Sequence, residues 1–195
     1  TLEANRKAGL PAIDVSATQG KMLQLLAKGA GAKRILEIGT LGGYSTIWLA
    51  RALPENGCVV TLELEDNFAQ LAKANINNAG LGDKVEVVVG EAVGSLSAMD
   101  DKKSEPFDFV FIDADKQNYV PYLEHAVRLS RPGATLIFDN VVREGEILSP
   151  DSDDPKVPGT RALYEVLHNH PKVDATAIQT VGSKKWDGFL LAIIL

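Results

Sequence analysis

Short apolar runs alternate with stretches of helical periodicity from Ile35 to Phe138. Runs bounded by turn residues read as buried strands, and apolar residues three and four apart read as helix faces. The first strand is Arg34–Ile38, interrupted by one acid, Glu37. The turn Gly39-Thr-Leu-Gly-Gly43 follows, then a helix from about Tyr44 to Ala52. Cys58–Leu62 is the second strand and ends at Glu63; a helix runs from Asp66 to about Asn78 and closes at Ala79-Gly80. Lys84–Val89 is the third strand, with Gly90-Glu91-Ala92 after it, a short helix over Ala92–Met99 and a charged loop over Asp100–Pro106. Phe107–Ile112 is the fourth strand. The next helix, Tyr119 to about Ser130, carries Tyr122, Leu123, Ala126, Val127 and Leu129 on its apolar side. Arg131-Pro-Gly133 turns the chain into the fifth strand, Ala134–Phe138.

Residues 1–16 read as an irregular or partly helical lead-in. Ser16 is placed to cap a helix from about Ala17 to Lys28, with Met22, Leu23, Leu25 and Leu26 as its stripe and Gly29 and Gly31 as its end. Residues 144–158 are polar and proline-rich, a surface loop of a length that is often functional. A helix from Gly159 to about His168 follows. The strands Val173–Thr180 and Phe189–Leu195 close the chain, separated by the turn-like Val181–Gly188. Strand–helix alternation predicts a mostly parallel α/β sheet with helices on both faces, a Rossmann-like architecture, and the closing pair predicts an antiparallel hairpin on one edge. No repeat or linker divides the chain, so one domain over residues 1–195 is expected.

The chain of 195 residues, 45% hydrophobic and 24% charged, has an ordinary globular balance. No apolar run is long enough to span a bilayer, and Thr1–Pro11 lacks the charged start and apolar run of a signal peptide. Thr1 is not a methionine, which leaves room for an upstream segment. The single cysteine, Cys58, excludes an internal disulfide and a cysteine-rich zinc site, and its apolar neighbours predict a buried thiol. These features favour a cytoplasmic protein. A net charge of −6 without a basic stripe argues against nucleic acid as a partner.

Chemistry concentrates where strands end. Phe107–Tyr119 passes from a buried strand into Asp113, Asp115 and Lys116, and Ala134–Phe138 runs into Asp139-Asn140. Open α/β sheets bind ligands at such carboxyl ends. Asp113, Asp139 and Asn140 offer only oxygen donors, which suit Mg²⁺ first, with Ca²⁺ or Mn²⁺ as alternatives. Such an ion eases loss of a proton from a bound hydroxyl, and Lys116 is the candidate general base for a phenol. Asp115, Lys116 and Asn118 could instead only cap the next helix. His125, His168 and His170 read as surface or packing residues.

The turn after the first strand fails the dinucleotide fingerprint, because Thr40-Leu41 stand between Gly39 and Gly42. Glu37 points to a cationic ligand rather than a pyrophosphate. Glu63 ends the next strand, where an acid binds ribose hydroxyls, and Gly90-Glu91-Ala92 is positioned to line an adenine pocket. A ligand with an amine end, a ribose and an adenine fits all three, and S-adenosylmethionine has them. A nicotinamide-dependent dehydrogenase and a non-catalytic nucleoside-binding module are the alternatives.

Ser16-Ala-Thr-Gln-Gly20, Leu36-Glu-Ile-Gly-Thr-Leu-Gly-Gly-Tyr-Ser45, Phe111-Ile-Asp-Ala-Asp-Lys-Gln-Asn-Tyr119 and the stretch from Arg131-Pro-Gly133 to Asp139-Asn-Val141 together resemble the cation-dependent O-methyltransferases of the caffeoyl-CoA and catechol type, bacterial members most of all. The resemblance covers about Val15 to the C-terminus. It implies the class I methyltransferase fold with a seven-stranded sheet. It implies a metal at Asp113, Asp139 and Asn140 and a base at Lys116. It also implies cofactor contacts at Val15, Glu37, Gly39, Thr40, Ser45, Glu63, Ala92, Asp113 and Asp115, with Lys21 near the substrate mouth. The reaction implied is direct methyl transfer from S-adenosylmethionine to one hydroxyl of a catechol-like molecule, by a homodimer. Members of the type carry a longer N-terminal segment. Plant members have Trp-Asn where this chain has Arg143-Glu144, so a plant-like CoA ester is not implied.

Overall fold

The computed structural model describes residues 1–182 and 185–195, with Lys185 described by its backbone alone. Its elements in chain order are α1 (Leu2–Lys7), α2 (Ala17–Gly29), β1 (Arg34–Ile38), α3 (Tyr44–Ala50), β2 (Cys58–Glu63), α4 (Asp66–Asn78), β3 (Val85–Val89), α5 (Ala92–Asp101), β4 (Phe107–Ile112), α6 (Tyr119–Leu129), β5 (Ser130–Asp139), α7 (Val157–His168), β6 (Val173–Gly182) and β7 (Lys185–Ile194). The strands form one seven-stranded sheet in the order β3-β2-β1-β4-β5-β7-β6. The first five are parallel; β7 runs antiparallel to both β5 and β6, which makes the expected edge hairpin.

Strand residues alternate between faces, so each buried run feeds two cores. Leu36, Ile38, Val110 and Ile112 pack with Leu123 of α6 and Leu163 of α7 on one face. Ile35, Phe109 and Phe111 pack with Leu23 of α2 and Leu49 of α3 on the other. Chain order reverses between β1 and β4, which opens a crevice over their carboxyl ends.

Several expected boundaries move. Arg131-Pro-Gly133 is not a free turn: α6 runs directly into β5, which begins at Ser130. The stretch Val181–Gly188 is largely strand, because β6 and β7 pair from Val173↔Ile194 to Gly182↔Lys185. Residues 183 and 184 of that stretch lie outside the described residues. Part of the lead-in is helix α1, anchored by a buried Asn5. The α2 stripe is narrower than its leucines imply: Gly20, Leu23 and Ala27 face inward, whereas Leu25 is exposed. Cys58 is half-buried, not buried, because it opens β2 at the amino edge of the sheet, where its Sγ accepts a bond from Arg34 Nη1 at 3.2 Å.

The register sets the site. Ile38 lies beside Leu62 and Ile112, and Ile112 beside Phe138. One residue further along each strand brings Gly39, Glu63, Asp113 and Asp139 into a single row at the rim. Gly39 closes this row because nothing larger fits. It has φ +99°, and a Cβ there would lie 2.2 Å from the Asp113 carbonyl oxygen. Gly39→Ala therefore forces β1 and β4 apart and is expected to cost about 3 kcal/mol or more. Gly80→Ala, at φ +72° with open space around it, should cost only about 1 kcal/mol. Urea unfolding of the two variants beside the parent measures the difference.

Candidate active site

Two cavities lie over this row. The larger, about 520 Å³, spans the ends of β1 to β4 and is lined by Val15, Gly39, Thr40, Ser45, Glu63, Ala92, Asp113, Asp115 and Lys116 among others. The smaller, about 380 Å³, lies toward the hairpin and is lined by Gln19, Met22, Asp139, Asn140, Asp187 and Phe189 among others. Ile13, Asp14, Val15 and Asn140 belong to both, so the cavities meet beside Asn140 and under the segment before α2.

Each carboxylate at the rim has its own donors. Glu63 Oε2 accepts from the backbone amides of Thr40 at 3.2 Å and Leu41 at 2.7 Å, and its Oε1 from Glu65 N at 3.0 Å. The acid at the end of β2 thus shapes the turn after β1. Asp113 Oδ1 accepts from Lys116 Nζ at 3.0 Å. Lys116 is 3% exposed, an unusual burial for a lysine, and its Nζ sits 4.8 Å from the centre of the Tyr119 ring. Its carbonyl is pressed against α7, where a Cβ at Gly159 would lie 2.1 Å from it. Asp139 Oδ2 accepts from Gln19 Nε2 at 2.6 Å and its Oδ1 from Asn140 N at 2.9 Å. Burial first, and then the negative charge of Asp113, push the Asp139 carboxyl up to about 7. Asp115 is exposed at the rim, where it accepts from Tyr122 Oη at 2.5 Å and Asn118 Nδ2 at 2.6 Å.

Among the described residues no three His, Cys, Asp or Glu side chains gather as a metal cluster. The set at the cavity junction is two aspartates with an asparagine, Asn140, held in the left-handed region at φ 56°. An all-oxygen set in which two neighbouring carboxylates share one lysine fits a hard divalent cation.

Two expected site residues are not on the cavity walls. Glu37 is fully buried, two residues below Gly39 on the same sheet face. Its Oε2 accepts from Thr46 Oγ1 at 2.5 Å and Thr61 Oγ1 at 2.7 Å, and its Oε1 has no hydrogen-bond partner among the described residues. It backs Ser45, which does reach the cavity. Lys21 lies on the outer face of α2, bonded to Gln24 Oε1 at 2.7 Å, away from both cavities. Conversely, sequence reasoning assigns no site role to Gln19, Asp187 or Asp14. Asp187 had a signal, an acid inside an apolar strand. Gln19 stands in the Ser16–Gly20 motif, but its partner is 120 residues away, so its role was not legible.

A doubly wound sheet of this order with an antiparallel edge hairpin and a cavity over its carboxyl ends defines a class I methyltransferase fold. A family model described as O-methyltransferase matches residues 2–193. The chain is 52% identical over 193 residues to a catechol O-methyltransferase from Mycobacterium tuberculosis, covering 99% of this chain and 86% of the relative. It is 50% identical over 188 residues to a catechol O-methyltransferase from Niastella koreensis, covering 96% and 85%. The crystal structure of an O-methyltransferase from Bacillus cereus in complex with S-adenosylhomocysteine superposes with a TM-score of 0.97 at 57% identity, covering 100% of this chain and 88% of that one. The chain belongs to the O-methyltransferase family, a class of enzymes that take their methyl group from S-adenosylmethionine. The dehydrogenase and non-catalytic alternatives fall away with that membership. No helix among the described residues is long and apolar enough to cross a membrane.

Glu37 gives this site a signature in pH. Burial, partly offset by the bonds from its hydroxyl neighbours, raises its carboxyl from 4.5 to about 7. A raised carboxyl binds its proton more tightly folded than unfolded, so its contribution is complete below pH 4.5 and is lost as pH climbs through about 7. Glu37→Gln keeps an acceptor and removes the charge. Its stability relative to the parent should therefore improve with rising pH across that window, by up to about 3 kcal/mol. Urea unfolding of both proteins in EDTA at a series of pH values tests this, and parallel pH profiles would refute it.

Proposed function

We propose that this enzyme methylates one hydroxyl of a catechol-like small molecule with the help of a divalent cation, Mg²⁺ foremost and Ca²⁺ or Mn²⁺ as alternatives. The observation that carries the reading is the buried Lys116, held 3.0 Å from Asp113 in the wall of the larger cavity, which meets the smaller one at Asn140. Support also comes from two relatives of about half identity that are named catechol O-methyltransferases.

In this reading the larger cavity takes S-adenosylmethionine. Glu63 binds the ribose hydroxyls, Ala92 meets the adenine, and Gly39, Thr40 and Ser45 follow the methionine end, with Glu37 behind them. Val15 covers the cofactor from above, and Asp113 and Asp115 bound it on the β4 side. When bound, S-adenosylmethionine supplies a sulfonium methyl that is already a strong electrophile. Asp113, Asp139 and Asn140 would hold the cation, whose charge favours loss of a phenolic proton.

The protein's own share is alignment and proton handling. Lys116 acts as the neutral amine, whose Nζ lone pair accepts the phenolic proton, and Asp113 keeps that nitrogen in place. Gln19 fixes the rotamer of Asp139 from the opposite wall. Met22 and Phe189 present apolar surface to an aromatic ring in the smaller cavity. The oxygen left with a lone pair attacks the methyl in line, and S-adenosylhomocysteine departs. The reading extends to a single catalytic domain over residues 1–195, a homodimer, and a cytoplasmic site of action without nucleic-acid or membrane partners.

Transfer of labelled methyl from S-adenosylmethionine to a simple catechol, with Mg²⁺ and with EDTA, tests the reading. Transfer should occur and EDTA should abolish it; transfer that survives EDTA would break the metal assignment. Lys116→Met should lower kcat by about a hundredfold or more while S-adenosylhomocysteine binding stays within about twofold. Normal turnover in that variant would remove Lys116 from the mechanism.

A further inference from the structure

The segment between α1 and α2 lines both cavities, facing Asn140 where they meet. Pro11, Ile13, Asp14 and Val15 face the larger cavity, and Ala12 through Ser16 face the smaller. Short backbone bonds hold its ends, Leu10 N to Asn5 O at 3.0 Å and Ile13 N to Pro11 O at 2.8 Å. One lateral tie runs through side chains. Asn5 Nδ2 donates to Asp14 Oδ1 at 2.8 Å, and Asn5 Oδ1 accepts from Asn75 Nδ2 at 3.0 Å. The same Asn75 Nδ2 donates to the Gly42 carbonyl at 2.9 Å. Asn5 is 2% exposed and Asn75 8% exposed, so the Asn5–Asn75 and Asn75–Gly42 bonds are buried and the Asn5–Asp14 bond is partly buried; losing any of them leaves an asparagine amide unpaired out of water.

The residue at position 42 has no room for a side chain. A Cβ there would lie 2.0 Å from Asn5 Oδ1. Gly42 therefore serves the approach of Asn5 rather than the approach of a ligand. A buried polar chain thus leads from the turn that lines the larger cavity, through Asn75 and Asn5, to the wall that both cavities share.

We propose that Asn5 is a positioning residue that ties the 11–15 strap to the glycine turn, so that filling the donor cavity sets the strap over the acceptor cavity. This rests on the reading that the larger cavity takes the methyl donor. An amide suits the post because it must accept from Asn75 and donate to Asp14 at once. A carboxylate at position 5 would keep the first bond and lose the second. Exchanging the two residues, as Asn5→Asp with Asp14→Asn, rebuilds the bond with its direction reversed.

Hydrogen exchange of the full chain with and without S-adenosylhomocysteine tests the tie, with calorimetry confirming binding. In the parent, the ligand should slow exchange in both the 39–45 turn and the 12–16 strap. In Asn5→Ala the turn should stay protected while strap protection disappears, and affinity should fall by about tenfold. The exchanged pair Asn5→Asp/Asp14→Asn should recover strap protection. Asp14→Ala removes the same bond from the better-exposed partner and should copy Asn5→Ala if that variant does not fold. Strap protection that persists in either single variant overturns the tie. Loss of protection in the turn as well reduces Asn5 to a stability residue. Absence of ligand binding to the parent instead overturns the donor-cavity reading beneath it.

Discussion

Like charges collect at one edge of this sheet, and the rest of the site is arranged around holding them. Glu37, Glu63, Asp113 and Asp139 stand at or just below the carboxyl ends of β1, β2, β4 and β5, with Lys116 the only buried lysine or arginine among the described residues. Ionised groups taken out of water demand partners, and four acids share one cation here. Each acid meets the demand differently. Glu63 uses three backbone amides, Glu37 two threonine hydroxyls, Asp113 the lysine, and Asp139 a glutamine from α2 with its own neighbour's amide. Glu37 and Asp139 are left under-compensated and drift toward the neutral form. A site that accumulates negative charge beyond its own means fits ligands that bring positive charge, a sulfonium, an amine or a metal ion.

The same constraint explains what could be read from the chain alone. Parallel strands are buried on both faces, so they stand out as apolar runs, and an acid that ends such a run stands out further. Glu63, Asp113, Asp139 and Lys116 were legible for that reason, and the mostly parallel sheet follows from strand–helix alternation. Partners across the fold were not legible. Gln19 meets Asp139, Asn5 meets Asn75, and Asp187 meets the turn after β5, all at separations that no periodicity encodes. Glu37 was legible as an acid but not as to depth. Being two residues short of the rim leaves it on the correct face and beneath the wall. Boundaries failed where polar residues sit in strands: β6 is exposed along most of its length, so its pattern resembles a loop.

The turn after β5 shows how an irregular segment is held at such an edge. Asn140, Arg143, Glu144 and Gly145 all have positive φ, a cluster that costs free energy unless the surroundings fix it. Asp187 of β7 fixes it, because one carboxylate oxygen accepts from Val142 N at 3.0 Å, Arg143 N at 2.8 Å and Gly188 N at 2.9 Å. Arg143 then bonds Asp154 at 2.7 Å, and Arg161 of α7 donates to the carbonyl of Ile147 at 2.9 Å. The hairpin is therefore more than an edge. It supplies the acid that holds Val142 and Arg143, just past Asn140, in a turn whose conformation most residues avoid.

The glycine turn carries the opposite lesson from the fingerprint it fails to match. In a dinucleotide site the turn amides face a pyrophosphate, and the glycines make room for it. Here the amides of Thr40 and Leu41 already serve Glu63, and the space at Gly39 and Gly42 is taken by the Asp113 carbonyl and by Asn5. A phosphate arriving at this turn would find its donors occupied and a carboxylate in its path. The departure from the fingerprint is thus a physical exclusion and not a loose variant of the same motif. It selects for a nucleoside whose reactive end is cationic.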